Sequence, residues 1–228
     1  MIIENAFYKI PEVLMSYENI NDGYEGNIVN LLMTAIVLEF NIRNIDTPLR
    51  LIRNEKIYPN QNSQRCDMFV NYINMYDERF LNTYNVQISN YIEAKYFGGI
   101  NRNIGAEVKT YNSGAIIYDI YRLLQNTNTE DGKYFFVIFN DKPERYLALR
   151  RRTNNGQVER IWLKDLLNDG VHNIAFNLDE EPQTIRNLFG NIENGNIDFQ
   201  AKTISIKPNV NSIEGFWCYL IKVNRNAT

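Results

Sequence analysis

The sequence predicts an α/β fold, with a central mixed β-sheet flanked by helices and a C-terminal β-rich extension. Three observations carry that expectation. Ile28, Leu31, Leu32, Ala35 and Ile36 recur at helical spacing. Two neighbouring segments, 66–73 and 86–97, are rich in Val, Ile, Tyr and Phe, as strands are. A continuous apolar run at 134–139 has the character of a strand buried on both faces.

The elements follow in order. A helix is expected over 22–40, where Asp22 with Glu25 three residues later fits a capping box. Pro48 and Pro59 bracket 49–58, read as a short strand or irregular segment. The two strands come next, separated by a polar stretch that contains Asp77, Glu78, Arg79 and Asn82. Gly98 and Gly99 end the second strand, and a polar loop is expected up to Gly114. Ala115, Ile116, Ile117, Ile120, Leu123 and Leu124 then mark a helix that stops near Asn126. After the turn-like Glu130, Asp131 and Gly132 comes the buried strand. Beyond Pro143, residues 146–163 read as a β-hairpin turning at Asn154, Asn155 and Gly156, and 216–223 as a further strand. These segments divide the chain into a core, 1–145, and a β-rich extension, 146–228, packed with it as one domain.

Composition narrows the function. The chain has 228 residues, 44% hydrophobic and 22% charged, which suits one globular domain with a real core. A net charge of -3 excludes a polybasic protein that coats nucleic acid by charge alone, so any such contact must be a local patch. The longest apolar run, 28–40, is interrupted by Asn30, Thr34 and Glu39 and is shorter than the roughly 20 residues that span a bilayer. No basic region followed by an apolar stretch opens the sequence, so a cytoplasmic location is expected. Cys66 and Cys218 lack the spacing of a zinc or redox pair and read as reduced, buried thiols. The single histidine, His172, argues against zinc deaminase and HExxH chemistry and reads as structural.

Glu93, Ala94 and Lys95 form a Glu-x-Lys triplet within an expected strand, whose alternation places carboxylate and ammonium on one face. With 27 acidic residues and 10 lysines in the chain, about one such triplet arises by chance, and Glu107 to Lys109 and Asp131 to Lys133 are two more. Only the first lies in an apolar strand, between Tyr91, Ile92, Tyr96 and Phe97. Charges emerging there need a partner or a metal. Asp67 opens the preceding strand and can approach Glu93 from its neighbour. Two such carboxylates repel unless a cation joins them. Asp67 and Glu93, with the Ala94 carbonyl as a further ligand, supply the hard oxygens Mg²⁺ prefers. An alternative is a surface salt bridge between Glu93 and Lys95 beside an unrelated Asp67.

Asp67 and the Glu93-Ala94-Lys95 triplet, 93 − 67 = 26 positions apart and set in the order helix, strand, strand, helix, strand, resemble the PD-(D/E)xK nuclease superfamily. That superfamily includes most type II restriction endonucleases. The resemblance covers roughly 22–140 and departs from the common pattern at Cys66, where proline often precedes the aspartate. It implies a restriction-endonuclease-like core and Mg²⁺-dependent hydrolysis of DNA phosphodiesters, with Mn²⁺ as a substitute. Asp67 and Glu93 would bind the metal, and Lys95 would orient or help to deprotonate the attacking water. Glu25 is a further metal-facing candidate, competing with its capping-box reading and with Glu39 on the same stripe. The implied partners are double-stranded DNA and a second copy in a homodimer, without a membrane.

Arg145, Arg150, Arg151, Arg152 and Arg160, interleaved with Tyr146 and Trp162, could follow phosphates or form a solvated strand face. Arg102 and Lys109, in the loop after the triplet, are alternative phosphate contacts. Two other functions remain open: a nuclease directed by DNA structure or modification, and a non-catalytic DNA-binding module that retains the fold.

Overall fold

The computed structural model describes residues 2–16, 25–61, 63–73, 75–84, 86–98, 109–140, 142–153, 156–190, 192, 195–208 and 215–226, without the side chains of 145, 147–153 and 156–159. In chain order the elements are α1 (Ile2–Phe7), α2 (Ile10–Met15), α3 (Glu25–Ile42), β1 (Ile52–Asn54), β2 (Met68–Asn71), α4 (Glu78–Tyr84), β3 (Ser89–Phe97) and α5 (Lys109–Asn126). They continue with β4 (Gly132–Phe139), α6 (Glu144–Leu147), β5 (Ala148–Thr153), β6 (Gly156–Glu159), α7 (Ile161–Leu166), β7 (Gly170–Asn177), α8 (Gln183–Phe189), β8 (Asn196–Ile206) and β9 (Trp217–Arg225).

Seven strands form one mixed sheet in the order β1-β2-β3-β4-β9-β8-β7, and β5 and β6 form a separate hairpin. The chain is thus α/β, a mixed sheet flanked by helices on both faces. Every residue of β4 is buried, as its unbroken apolar run requires, and β4 is the middle strand. β3 pairs with β4 in parallel; the other pairings in this sheet are antiparallel. A parallel pair cannot be joined by a tight turn, and α5 supplies the crossover.

Two apolar layers enclose the sheet. On one side Ile28, Leu31, Leu32, Ala35, Ile36 and Phe40 of α3 pack with α1 and α2 against Ile92, Ala94, Phe136 and Leu220. On the other, Ile116, Ile117, Ile120, Leu123 and Leu124 of α5 pack with α7 and α8 against Tyr91, Phe135, Val137 and Ile221. Alternation along β3 therefore sends Ile92, Ala94 and Tyr96 toward α3 and Tyr91 and Phe97 toward α5.

Several elements depart from the sequence expectation. α4 replaces the polar connection: Asp77 Oδ1 accepts the Phe80 N–H at 2.7 Å, an N-cap bond, and at four-residue spacing the Phe80 ring stacks on Tyr76 and meets Tyr84 at a tilt. Because this helix buries no residue, it leaves no apolar stripe to read. α5 begins at Lys109, six residues before the first apolar marker, because its first turn is polar. Lys133 lies in β4, buried, with its ammonium donating to the carbonyls of Asn128, Thr129 and Asp131. The hairpin ends at Glu159, and 161–166 is helical, burying Trp162, Leu163 and Leu166. Asp22 of the capping box and the turn residues Asn154 and Asn155 lie outside the described residues. Among the described residues, no helix is long and apolar enough to cross a membrane.

Glu39 is buried near the end of α3, where it ties that helix to α1 and to the turn before α2. Arg43 Nη2 and Nε each stand 2.7 Å from Glu39 Oε1, Asn5 donates to the same oxygen, and Lys9 Nζ lies 3.7 Å from Oε2. Burial raises the carboxyl's pKa, but the Arg43 and Asn5 hydrogen bonds and the Lys9 and Arg43 charges outweigh it, so the folded value lies below the ordinary 4.5. A lowered carboxyl pKa contributes stability that is present above 4.5 and lost as pH falls through the folded value. Glu39→Gln should lower stability at pH 7 by about 1–3 kcal/mol. Urea unfolding from pH 7 to pH 3 should show the gap between variant and wild type closing as the pH falls.

Asn90 and Gly132 face each other across β3 and β4. The Asn90 amide is buried and donates to the carbonyls of Val70, Gln87 and Ile88, and a Cβ at Gly132 would stand 2.1 Å from its Oδ1. Gly132→Ala should therefore cost about 1–3 kcal/mol in urea unfolding, as overpacking does.

Candidate active site

The face of β3 turned toward α5 carries the two charged residues of the triplet. Glu93 is only 1% exposed, and its Oε1 accepts a hydrogen bond from the Tyr58 hydroxyl and lies 3.2 Å from Arg122 Nη2. Lys95 Nζ lies 2.6 Å from Glu25 Oε1 and 3.2 Å from Asp119 Oδ2. Arg122 Nη1 completes the chain at 3.1 Å from Asp119 Oδ1. Six side chains thus run in one line, Glu25, Lys95, Asp119, Arg122, Glu93 and Tyr58, with charges alternating along the first five.

Asp67 sits immediately before β2. The register pairs Met68 with Ile92, so one further step along the antiparallel ladder sets Asp67 opposite Glu93 (68 + 92 = 67 + 93). Its Oδ2 accepts the Ala94 N–H at 2.7 Å, which fixes the carboxylate against β3. Cys66, next to it, is buried, and its thiol donates to the Met68 carbonyl at 3.3 Å. Burial, followed by the charge of Glu93, pushes that thiol up to about 12, so it stays a thiol at neutral pH.

Electrostatics divide the site into strained carboxyls and firmly held cations. Burial, then the negative charges of Asp119 and Asp67, push the Glu93 pKa well above its ordinary value, against the pull of Arg122 and the Tyr58 hydrogen bond. Burial likewise raises Asp119 against Lys95 and Arg122, and raises Glu25 against Lys95. Lys95 responds in the opposite direction. Burial lowers its pKa, but Asp119 and Glu25 overcome that and hold it protonated.

The residues singled out from sequence are thus partly gathered. Asp67, Glu93 and Lys95 share one locality on β2 and β3, and Glu25 reaches it from the first residue of α3. Glu25 is bonded there to Lys95, and Glu39 lies elsewhere, in its contact with Arg43. Among the described residues, no three His, Cys, Asp or Glu side chains converge as a group that could hold a metal ion.

The basic residues are dispersed. Lys109 is the half-buried first residue of α5. Arg150, Arg151 and Arg152 belong to β5 and Arg145 to α6, but their side chains lie outside the described residues, as does all of Arg102. Arg160, one of the candidate phosphate contacts, is 1% exposed and precedes α7, enclosed and away from any outer face; it donates to the Tyr146 carbonyl at 3.1 Å and lies 3.5 Å from Glu181. It faces inward because Trp162 and Leu163 draw this segment into the core, where the Trp162 indole also donates to Glu181. His172 makes a local contact, 3.2 Å from the Asp169 carbonyl.

Tyr58, Asp119 and Arg122 were not anticipated from sequence. Asp119 did leave a signal, because it falls in phase with Ile116, Ile120 and Leu123 on the buried stripe of α5, where a carboxylate needs a partner. Arg122 follows it at the three-residue spacing of a helical ion pair. Tyr58, in an irregular segment before Pro59, left none.

Compared with known proteins, the chain matches no family model, no curated protein and no solved structure.

Tyr58→Phe removes the hydroxyl that Glu93 Oε1 accepts from, leaving a buried acceptor short of a donor. The variant should lose about 1–3 kcal/mol in urea unfolding at pH 7.

Proposed function

We propose that this chain is a Mg²⁺-dependent DNA endonuclease with a restriction-endonuclease-like core, acting as a sequence-specific type II restriction enzyme. The observation that carries this reading is the placement of Asp67 opposite Glu93, with Lys95 on the same face of the same strand. The order of elements supports it: a helix carrying Glu25, three antiparallel strands, a crossover helix and a parallel fourth strand. So does the chemistry of the cluster, since burial and then the charges of Asp119 and Asp67 raise the Glu93 carboxyl, and a divalent cation would relieve it.

Asp67 and Glu93 fit Mg²⁺ as two hard oxygen ligands. Hydrogen bonds from the Ala94 N–H and the Tyr58 hydroxyl, with the Arg122 ion pair, engage Asp67 Oδ2 and Glu93 Oε1, so each carboxylate keeps a second oxygen for the ion. A protein cage of three or more side chains is unnecessary, because Mg²⁺ commonly takes one or two carboxylates and fills its shell with waters and substrate phosphate. The Ala94 carbonyl is a further candidate ligand, and Mn²⁺ is a plausible substitute. When bound, the ion polarises the scissile phosphate and lowers the pKa of a bound water.

The remaining work falls to the chain. Lys95, held as an ammonium by Asp119 and Glu25, donates to a phosphate oxygen and stabilises charge building there, so it is not the base. A water oxygen bonds to phosphorus and releases its proton to solvent as one ester P–O bond breaks, and the departing sugar oxygen takes up a proton from solvent. Glu25 orients Lys95 through its 2.6 Å contact, which favours that role over direct metal ligation. Lys109, Arg102, Arg150 and Arg152 are the proposed phosphate contacts along double-stranded DNA, and a homodimer would match the two-fold symmetry of a palindromic site. Arg160 is left out, being enclosed.

Digestion of plasmid and phage DNA with the purified protein tests the reading. Discrete fragments that require Mg²⁺ or Mn²⁺ are expected, and Glu93→Ala and Lys95→Ala should each slow cleavage about 10²–10³-fold. Full activity in both variants would dismiss this site. A smear, or a preference for branched or modified DNA, would favour the structure-directed or modification-directed alternative. No cleavage of any DNA would leave a non-catalytic binding module.

A further inference from the structure

Asp119 and Arg122 have no part in the chemistry assigned to Asp67, Glu93 and Lys95, yet they touch two of those residues. They lie three residues apart on α5, so their heads meet on one helix face. The guanidinium is used as a fork. Nη1 stands 3.1 Å from Asp119 Oδ1, and Nη2 stands 3.2 Å from Glu93 Oε1 and donates to the Arg65 carbonyl at 2.7 Å. Arg65 is two residues before Asp67, so one rigid group spans from the segment that delivers Asp67 to the strand that delivers Glu93. The second carboxylate oxygen of Asp119 lies in an ion pair 3.2 Å from the Lys95 ammonium, whose other partner is Glu25.

Resting on the nuclease reading, we infer that Asp119 and Arg122 are the positioning residues of this site: Arg122 sets Glu93 relative to the Asp67 segment, and Asp119 sets the Lys95 ammonium. Neither touches the substrate. Their own ion pair makes the two functions one unit, because a shift of either head pulls on the other. A pair that only neutralised Glu93 and Lys95 would not need the further bond that Arg122 donates to the Arg65 carbonyl. Lysine cannot replace the fork, since a single ammonium lacks its fixed planar donors. Small misplacements of reacting groups can cost about a hundredfold in rate, so the expected loss is kinetic.

The test compares the full-length wild type with Asp119→Asn, Arg122→Ala and the double variant, by cleavage at saturating DNA with Mg²⁺ and by urea unfolding without metal. Each single variant should cut at least tenfold more slowly, with the DNA concentration for half-maximal rate within about twofold of wild type. The double variant should be no slower than the worse single variant by more than about twofold, and the losses in urea midpoint should likewise fail to add. Free guanidinium ion at tens of millimolar should restore part of the Arg122→Ala rate, whereas the same concentration of KCl should not. If Arg122→Ala fails to fold, Arg122→Lys takes its place, with the same tenfold loss expected. Wild-type rates in both single variants, additive losses in the double variant, or no response to guanidinium in a folded Arg122→Ala would each overturn this inference alone. A wild type that cuts no DNA would overturn the nuclease reading and this inference with it.

Discussion

Because β3 and β4 run parallel, the chain between them must cross over the sheet, and α5 is that crossing. This one constraint sets the company of every side chain on the covered face of β3. Tyr91 and Phe97 meet the isoleucines and leucines of α5, as apolar residues should. Glu93 and Lys95, between them on the same face, must meet α5 as well. A purely apolar helix there would leave the buried Glu93 without a cation and Lys95 with Glu25 as its remaining partner, at a cost of several kcal/mol. Asp119 and Arg122 meet that requirement, so one helix both closes the core and balances the site.

The balance is purposeful in a physical sense even before any substrate is considered. Replacing such a buried ionic chain by well-packed hydrophobic residues would often be neutral or stabilising, so stability alone gives little reason to keep it. What the chain does provide is fixed geometry: each carboxylate is held by a cation from another element, and each cation by two carboxylates. Asp67, tied to the Ala94 N–H, is held by the backbone of the strand it faces. The locality therefore joins an ion-paired framework to buried carboxyls, Glu93, Asp119 and Glu25, whose pKa values burial raises.

Much of this was legible in the sequence, for identifiable reasons. The β4 run and the α3 and α5 stripes announce themselves because burial selects apolar residues at a fixed period. Glu93 and Lys95 stood out because two charges interrupt an apolar strand, and period-2 alternation gave their shared face without any tertiary information. Partnership was harder to see. Tyr58 is 35 positions from Glu93, in an irregular segment with no period, and only tertiary packing brings them together. α4 was hidden because a helix with no buried face has no stripe, leaving only the Asp77 cap as a clue. Arg160 misled because a basic residue in a run of arginines looks solvated, whereas the following Trp162 and Leu163 carry it inward.

The central strand also has a consequence for how the protein is made. β4 pairs on one side with β3, which precedes it closely, and on the other with β9, where Phe139 meets Trp217 across 217 − 139 = 78 positions. During synthesis β4 emerges with one neighbour already present and the other still unmade. Its wholly apolar flank and open row of backbone donors and acceptors must wait through the translation of that interval. Unpaired edges of this kind are prone to association with other chains. Completion of the sheet, and with it the protection of its most hydrophobic strand, thus waits for a segment made well after it.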